Sequence, residues 1–166
     1  CIRDRYRLIE RHQDQLIENV PEKFRADCSA VSNPVGYDEM RGSVFITDDF
    51  QSKQSMNLIV LPWLMQGFYE YNQRVGDEER LRTSIYPLMR RTFSVYLHIL
   101  YLGNDGKYHI PLTYSDEYGV AQNTSLNLAL AKWGFTTLID CANRLNINDP
   151  LLDQWKHVLS LSLIHI

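Results

Sequence analysis

The sequence lacks the features that mark several classes of protein. Its three cysteines, Cys1, Cys28 and Cys141, are an odd number without metal-ligand spacing, so neither a disulfide framework nor a zinc site is predicted. No apolar run reaches the roughly 18 residues of a membrane helix, and no signal-peptide pattern opens the chain. The net charge of -3, with both signs interspersed, gives no basic stripe and argues against a nucleic-acid partner. We predict no cofactor, and the compartment stays open.

What is present is an ordinary globular composition. The 166 residues are 45% hydrophobic, which suits one domain with a packed core. The chain starts at Cys1 with a helical stripe already under way, and residues 159–166 are an apolar run without a helix stop signal. These features predict a partial helical domain over residues 1–158, incomplete at both ends. Residues 159–166 are expected to be a non-native or truncated tail.

Helical periodicity predicts five helices joined by loops of unequal length. The first runs from Asp4 to Asn19, before Pro21, and residues 21–55 follow with no sustained period apart from a short strand at 44–47. The second lies within residues 56–75, with Pro62 at its first regular position and Gly76 as its stop.

Asp77 caps the third helix, which we expect to bend at Pro87 and to end at Gly103. The fourth helix starts near Asn123 or Thr124 and buries Leu126, among others. Asp149 and Pro150 open the fifth helix. The apolar faces of these helices predict core positions for the three tryptophans, Trp63, Trp133 and Trp155.

The segment between the third and fourth helices carries the candidate chemistry. It reads Asp-Gly-Lys-Tyr-His-Ile-Pro-Leu-Thr-Tyr-Ser-Asp-Glu-Tyr-Gly over residues 105–119. Loops held by rigid elements are frequent sites of catalytic and binding groups. A carboxylate among aromatic rings is a candidate for a raised pKa, which a general acid requires near neutral pH. Asp105 is expected only to form the turn before Gly106.

Residues 105–127 resemble the catalytic domain of glycoside hydrolase family 95, the α-L-fucosidase and α-L-galactosidase family. Members carry a Ser-Pro-Glu element followed by a helix rich in Leu, Ala and Trp, which Ser115-Asp116-Glu117 and the helix after it resemble. Upstream, residues 57–63 (Asn-Leu-Ile-Val-Leu-Pro-Trp) look like the family's asparagine-containing segment that ends in tryptophan. The resemblance covers about residues 55–158.

The resemblance implies an all-α fold, a fragment of an (α/α)6 toroid of antiparallel helical hairpins around a sugar pocket. It implies that Glu117 is the general acid, and that Asn57 helps to orient the catalytic base and its water. His109, Tyr114, Tyr118 and Trp63 are the candidate contacts to an oligosaccharide or glycan substrate.

The sequence departs from the family pattern at two positions. Asp116 replaces the proline of the Ser-Pro-Glu element, and Ser55 stands where the first of two asparagines is expected. The family's catalytic aspartate lies further downstream, outside these residues, so the chain alone is predicted to be inactive. Asp116 is a poor substitute, because neighbouring loop side chains seldom face a substrate from opposite sides.

Each candidate also has a simpler interpretation. Glu117 fits a solvated loop acid, since glutamate is rarely buried unpaired. His109 fits a packed histidine beside Pro111, the tyrosines fit covers for helix ends, and Asn57 fits a side chain bound to backbone. Two hypotheses follow: part of a glycosidase that removes terminal fucose-like sugars by inversion, or a non-enzymatic helical-hairpin module that binds a protein segment in a groove.

Overall fold

A computed structural model describes residues 2–31, 39–42, 56–115 and 119–163, with the backbone only for residues 2, 3 and 115. The fold is all-α, as predicted, with two short hairpins between its helices; the toroid arrangement stays a prediction. The helices are α1 (Ile2–Arg11), α2 (Gln13–Glu18), α3 (Val60–Val75), α4 (Glu78–Arg80), α5 (Tyr86–Ile99), α6 (Ser125–Leu145) and α7 (Leu152–Ser160). The strands are β1 (Tyr101–Leu102), β2 (Tyr108–His109), β3 (Thr113–Ser115) and β4 (Gly119–Ala121).

The core forms where α3, α5 and α6 pack on one another, with α1 against α3 and α7 against α6. Gly134 of α6 faces the ring of Phe93 on α5, and a Cβ there would lie only 2.2 Å from ring atoms. Glycine therefore allows the close approach of these two helices. The largest fully buried side chains, which contribute most to the hydrophobic stabilisation, include Trp155, Tyr96, Phe93, Phe135, Ile9 and Leu16.

The predicted boundary between the second and third helices is confirmed. Gly76 ends α3 with a φ of 74°, in the left-handed region that glycine adopts without steric cost. The carboxylate of Asp77 then accepts a hydrogen bond from the backbone N–H of Arg80 at 2.9 Å, which caps the next helix. The helix before Gly76 begins at Val60, so Pro62 is its third residue rather than its first.

The predicted first helix is divided in two. At His12 the backbone leaves the helical region, with φ -118° and ψ 30°, and α2 starts at the next residue. The end of α2 is tied to the following segment, because the Asn19 amide donates to the carbonyl oxygens of Ala30 and Met40 at 3.0 and 2.6 Å. Tertiary ties of this kind leave no trace in helical periodicity. The predicted strand at 44–47 lies outside the described residues.

The third predicted helix differs at both of its special positions. The irregularity expected at Pro87 lies just before it, as a π-helical turn over Leu81–Ile85 whose last bond joins Tyr86 N–H to the Leu81 carbonyl. The helix ends at Ile99 instead of Gly103, and Leu100 is extended with ψ 136°. Tyr101 and Leu102, which were predicted to be helical, instead form β1 and pair with β2.

The last two helices start close to the predicted positions. Thr124 is the N-cap of α6, and Leu126 in its first turn is 36% exposed, so its predicted burial is wrong. α7 begins at Leu152, because Asp149 first forms a turn in which its Oδ1 accepts from the Leu151 N–H at 2.9 Å. The other carboxylate oxygen of the buried Asp149 binds Arg90 at 2.8 Å and Tyr86 at 2.9 Å, linking α5 to the start of α7.

Residues 159–163 continue from the domain. Leu159 and Ser160 belong to α7, and the Leu161 carbonyl accepts from the Tyr108 N–H at 2.9 Å. Whether this tail is native stays a prediction. Within the described ranges, none of the helices has the length and apolar character to span a membrane.

Candidate functional site

The two segments that carry the family resemblance lie side by side. Met56 forms a parallel β-bridge with Thr113, and the Tyr114 N–H donates to the Met56 carbonyl at 3.1 Å. β3 pairs in turn with β4, with Ser115 opposite Gly119. The chain between those two residues is therefore a three-residue connection that leaves from the strand bridged to Met56. Asn57 is adjacent in sequence to the bridging residue.

Two candidates, Glu117 and Tyr118, fall in that connection beside Asp116. Asp116, Glu117 and Tyr118 lie outside the described residues, so the roles of Glu117 and Tyr118 stay predictions. Gly119 at the end of the connection has a φ of 78°, a conformation that glycine adopts freely.

Asn57 is almost fully buried, with 8% of its surface exposed. Its Oδ1 accepts a hydrogen bond from the backbone N–H of Ile59 at 3.3 Å, two residues ahead, as in a turn formed by an asparagine side chain. The backbone partner allowed by the simpler interpretation is thus present. The bond fixes the side chain at the start of α3, and the role of Asn57 in orienting the catalytic base and its water stays a prediction.

The tryptophans divide into two groups. Trp155 is fully buried and Trp133 packs half-buried against Tyr69 and Phe93, as predicted from their helical faces. Trp63, in the first turn of α3, is 60% exposed, so its predicted core position is wrong. Exposure is what a sugar-stacking ring requires, and that role of Trp63 stays a prediction. Tyr114 is half-buried on β3.

Hydrogen bonds engage both ring nitrogens of His109. The Asn123 Oδ1 accepts from the Ile110 N–H at 2.9 Å, which orients the amide so that its Nδ2 donates to His109 Nδ1 at 2.9 Å. Nδ1 is therefore an acceptor, and Nε2 carries the proton and donates to Asp105 Oδ1 at 3.0 Å. This bond, together with the one from the Lys107 N–H, lowers the pKa of Asp105.

Two further groups lie close to the ring of His109. It stacks on Tyr101 with centroids 5.4 Å apart, and a Cβ at Gly103 would lie 2.6 Å from it. These contacts support the structural interpretation of His109 over direct binding to a sugar through nitrogen. Asp105 forms the predicted turn. It also accepts the hydrogen bond from His109, a second structural role that the sequence did not indicate.

A buried asparagine that the sequence did not single out connects the elements around the candidate site by hydrogen bonds. Asn127 is fully buried on α6, and its Nδ2 donates to the hydroxyl oxygens of Thr113 at 3.2 Å and Thr124 at 2.8 Å. Its Oδ1 accepts from the Tyr96 hydroxyl at 3.0 Å. One side chain therefore connects β3, α5 and the cap of α6.

The sequence did contain a signal for Asn127. Leu130 and Ala131, three and four residues later, are buried, so Asn127 lies on the inward face of α6. A polar side chain at such a position needs hydrogen-bond partners. Desolvation raises the pKa of the Tyr96 hydroxyl, which keeps it protonated as the donor to Asn127.

The described residues also include one cluster of groups able to bind a metal. Asp27, Cys28 and His98 place their donor atoms within 4.8 Å of one another, although His98 is about 70 residues away in the chain. The sequence indicated no metal site, because only proximity in the fold brings these groups together. Burial, followed by the charge of Asp27, raises the pKa of the Cys28 thiol.

Comparison with known proteins gives one family. Residues 31–164 match the sequence model of the Glycosyl hydrolase family 95 catalytic domain, a range that contains Asn57, Glu117 and the strands that join their segments. A comparison with curated proteins gave no match.

Proposed function

The chain belongs to glycosyl hydrolase family 95, and from this we propose that it supplies the general-acid side of an active site that hydrolyses terminal α-L-fucosyl or related glycosidic bonds with inversion. The family assignment makes the protein a glycoside hydrolase with a glycan substrate. The observation that most directly supports the finer proposal is the bridge between Met56 and Thr113. It brings the Asn57 segment next to the strand that leads to Glu117.

The proposed reaction is a single displacement. The carboxylic acid of Glu117 donates its proton to the glycosidic oxygen as the bond from that oxygen to the anomeric carbon breaks. A water molecule attacks the anomeric carbon from the opposite face and gives its proton to a carboxylate base. In inverting enzymes the two carboxyl groups are about 6.5–9.5 Å apart, which leaves room for the water.

The catalytic base is proposed to come from residues outside this chain. Asn57, fixed by its bond to the Ile59 N–H, would help to orient that base and its water. The activity therefore belongs to a longer protein that contains the present residues, and the isolated chain is expected to be inactive.

The substrate side of the proposal is carried by aromatic and polar groups around the two segments. Trp63 presents a largely exposed ring at the start of α3, suited to stacking on the apolar face of a pyranose. Tyr114 follows the bridging Thr113 on β3, and Tyr118 follows Glu117 in sequence. His109 contributes through the position of the neighbouring hairpin, since both its nitrogens are engaged.

The test uses the longer protein and an oligosaccharide with a terminal α-L-fucose. Glu117→Gln keeps the size of the side chain but removes the acidic proton, and the expected loss in kcat/KM is about 10²–10⁴-fold. Glu70→Gln is the matched control, because Glu70 is exposed on α3, and it should leave the rate unchanged. Full activity of Glu117→Gln would refute the assignment of Glu117 as the general acid.

The stereochemical part has its own measurement. Proton NMR of the reaction mixture at early times should show β-L-fucose as the first product, since one displacement inverts the anomeric centre. Initial release of the α-anomer would contradict inversion while leaving the family assignment intact.

A further inference from the structure

The segment that leads from α2 into the family-matching region is held rigidly on α5. The guanidinium of Arg91 donates to the carbonyl oxygens of Arg25 and Cys28, both at 2.7 Å, and of Ala26 at 3.0 Å. It also donates to the hydroxyl of Ser29 at 3.0 Å. Four bonds from one side chain fix the backbone on both sides of Asp27 and Cys28.

In the anchored segment, donor atoms of Asp27 and Cys28 lie within 4.8 Å of one another and of His98 on α5. His98 Nε2 lies 3.0 Å from Asp27 Oδ1 and 2.8 Å from Asp27 Oδ2, and Cys28 Sγ lies 3.4 Å from Oδ1. The His98 ring also contacts the Phe24 ring in a tilted arrangement, with centroids 4.8 Å apart. Cys28 is buried, whereas His98 and Asp27 are about one-third exposed.

An ion pair alone is a weak reason for this arrangement. His98 Nε2 carries at most one proton, so it cannot donate fully to both oxygens of Asp27. An exposed pair of this kind contributes about 0–1 kcal/mol. The carboxylate, thiol and imidazole instead present sulfur, nitrogen and oxygen donors to the same space.

We propose that Asp27, Cys28 and His98 form a binding site for Zn²⁺ with a fourth position open to water. Tetrahedral zinc takes thiolate, imidazole and carboxylate ligands, and its bond lengths place donor atoms about 3.3–3.6 Å from one another. The separation of 3.4 Å between Cys28 and Asp27 already meets that spacing. His98 Nε2 lies 3.0 Å from the same oxygen, Asp27 Oδ1, and has to move away by roughly a third of an ångström.

The donor set selects the class of metal. A thiolate and an imidazole favour zinc and its soft or borderline neighbours over Mg²⁺ and Ca²⁺, which take oxygen ligands. The site would connect the segment before residue 31 to α5 and so stabilise the start of the region that matches the family, residues 31–164. This inference is independent of the proposed glycosidase chemistry.

The test is titration of the chelator-treated 166-residue chain with Zn²⁺ in a calorimeter, followed by absorption spectra with Co²⁺ in its place. We expect one ion per chain and a thiolate-to-cobalt charge-transfer band. His98→Gln and Cys28→Ser should each weaken binding by at least about 100-fold, since even loss of an outer-shell partner costs 10–100-fold. His157→Gln and Cys141→Ser are the matched controls and should bind as the unchanged chain does.

His98→Gln keeps the proposal falsifiable, because His98 is exposed and its replacement leaves the core intact. Stoichiometric binding that survives His98→Gln would overturn the proposal. So would an absence of one-to-one binding, or a Co²⁺ complex without the thiolate band.

Discussion

Replacing the buried Asn127 tests how much its hydrogen bonds between β3, α5 and the start of α6 contribute to stability. Asn127→Ala removes three hydrogen bonds, to Tyr96, Thr113 and Thr124. A net contribution of about 1 kcal/mol for each bond gives an expected loss of about 3 kcal/mol in the free energy of unfolding. The loss falls on one point of the fold, where β3 meets α5 and α6.

Urea denaturation followed by circular dichroism measures this loss. Asn143→Ala is the matched control, because Asn143 is exposed on the same helix. Since alanine favours a helix more than asparagine does, this variant should be stabilised by less than about 0.7 kcal/mol. A loss of less than 1 kcal/mol in Asn127→Ala would refute the reasoning.

A double-mutant cycle isolates one bond. Tyr96→Phe removes only the hydroxyl that donates to Asn127, so its cost and that of Asn127→Ala share one interaction. The double variant should be more stable than the two separate losses predict, by about 1 kcal/mol. Additive losses would show that the two side chains do not act on each other.

Two further predictions concern the core. Gly134→Ala should destabilise the protein by about 1–3 kcal/mol because its Cβ meets Phe93, whereas Gly67→Ala, with open space, should stabilise it by up to about 1 kcal/mol; thermal unfolding of both variants checks the opposite signs. Burial raises the pKa of Cys141 from 9.0 to about 11. The stability that the buried neutral thiol contributes is therefore fully present below pH 9, and roughly 2 kcal/mol of the free energy of unfolding is lost as the pH rises to 11. In urea titrations, the free energy of unfolding of Cys141→Ala should lack this decrease between pH 9 and 11. The same decrease in the variant as in the unchanged chain would contradict the prediction.

Local sequence signals predicted the helices well where neighbours in the chain decide the structure. Gly76 and Asp77 mark the boundary after α3 because a left-handed glycine and a capping carboxylate act over three or four residues. The end of α5 was missed because Tyr101 and Leu102 pair with strand residues six or more positions away.

The candidate site shows the same division. The resemblance identified the family, which the match over residues 31–164 confirms. The bridge from Met56 to Thr113, 57 residues apart, depends on tertiary packing, as does the meeting of Asp27 with His98. The exposure of Trp63 could not be read from its apolar neighbours, because the face of a helix that meets solvent depends on the elements packed around it.

The central claim is that Glu117 protonates the departing oxygen, and the dependence of the rate on the leaving group tests it most directly. In the longer protein, Glu117→Gln should lower kcat/KM by about 10²–10⁴-fold for a fucoside whose leaving group is a sugar. The loss should be much smaller for an aryl fucoside with an acidic phenol, because that group departs without a proton. Equal losses on the two substrates would contradict the assignment of Glu117 as the general acid.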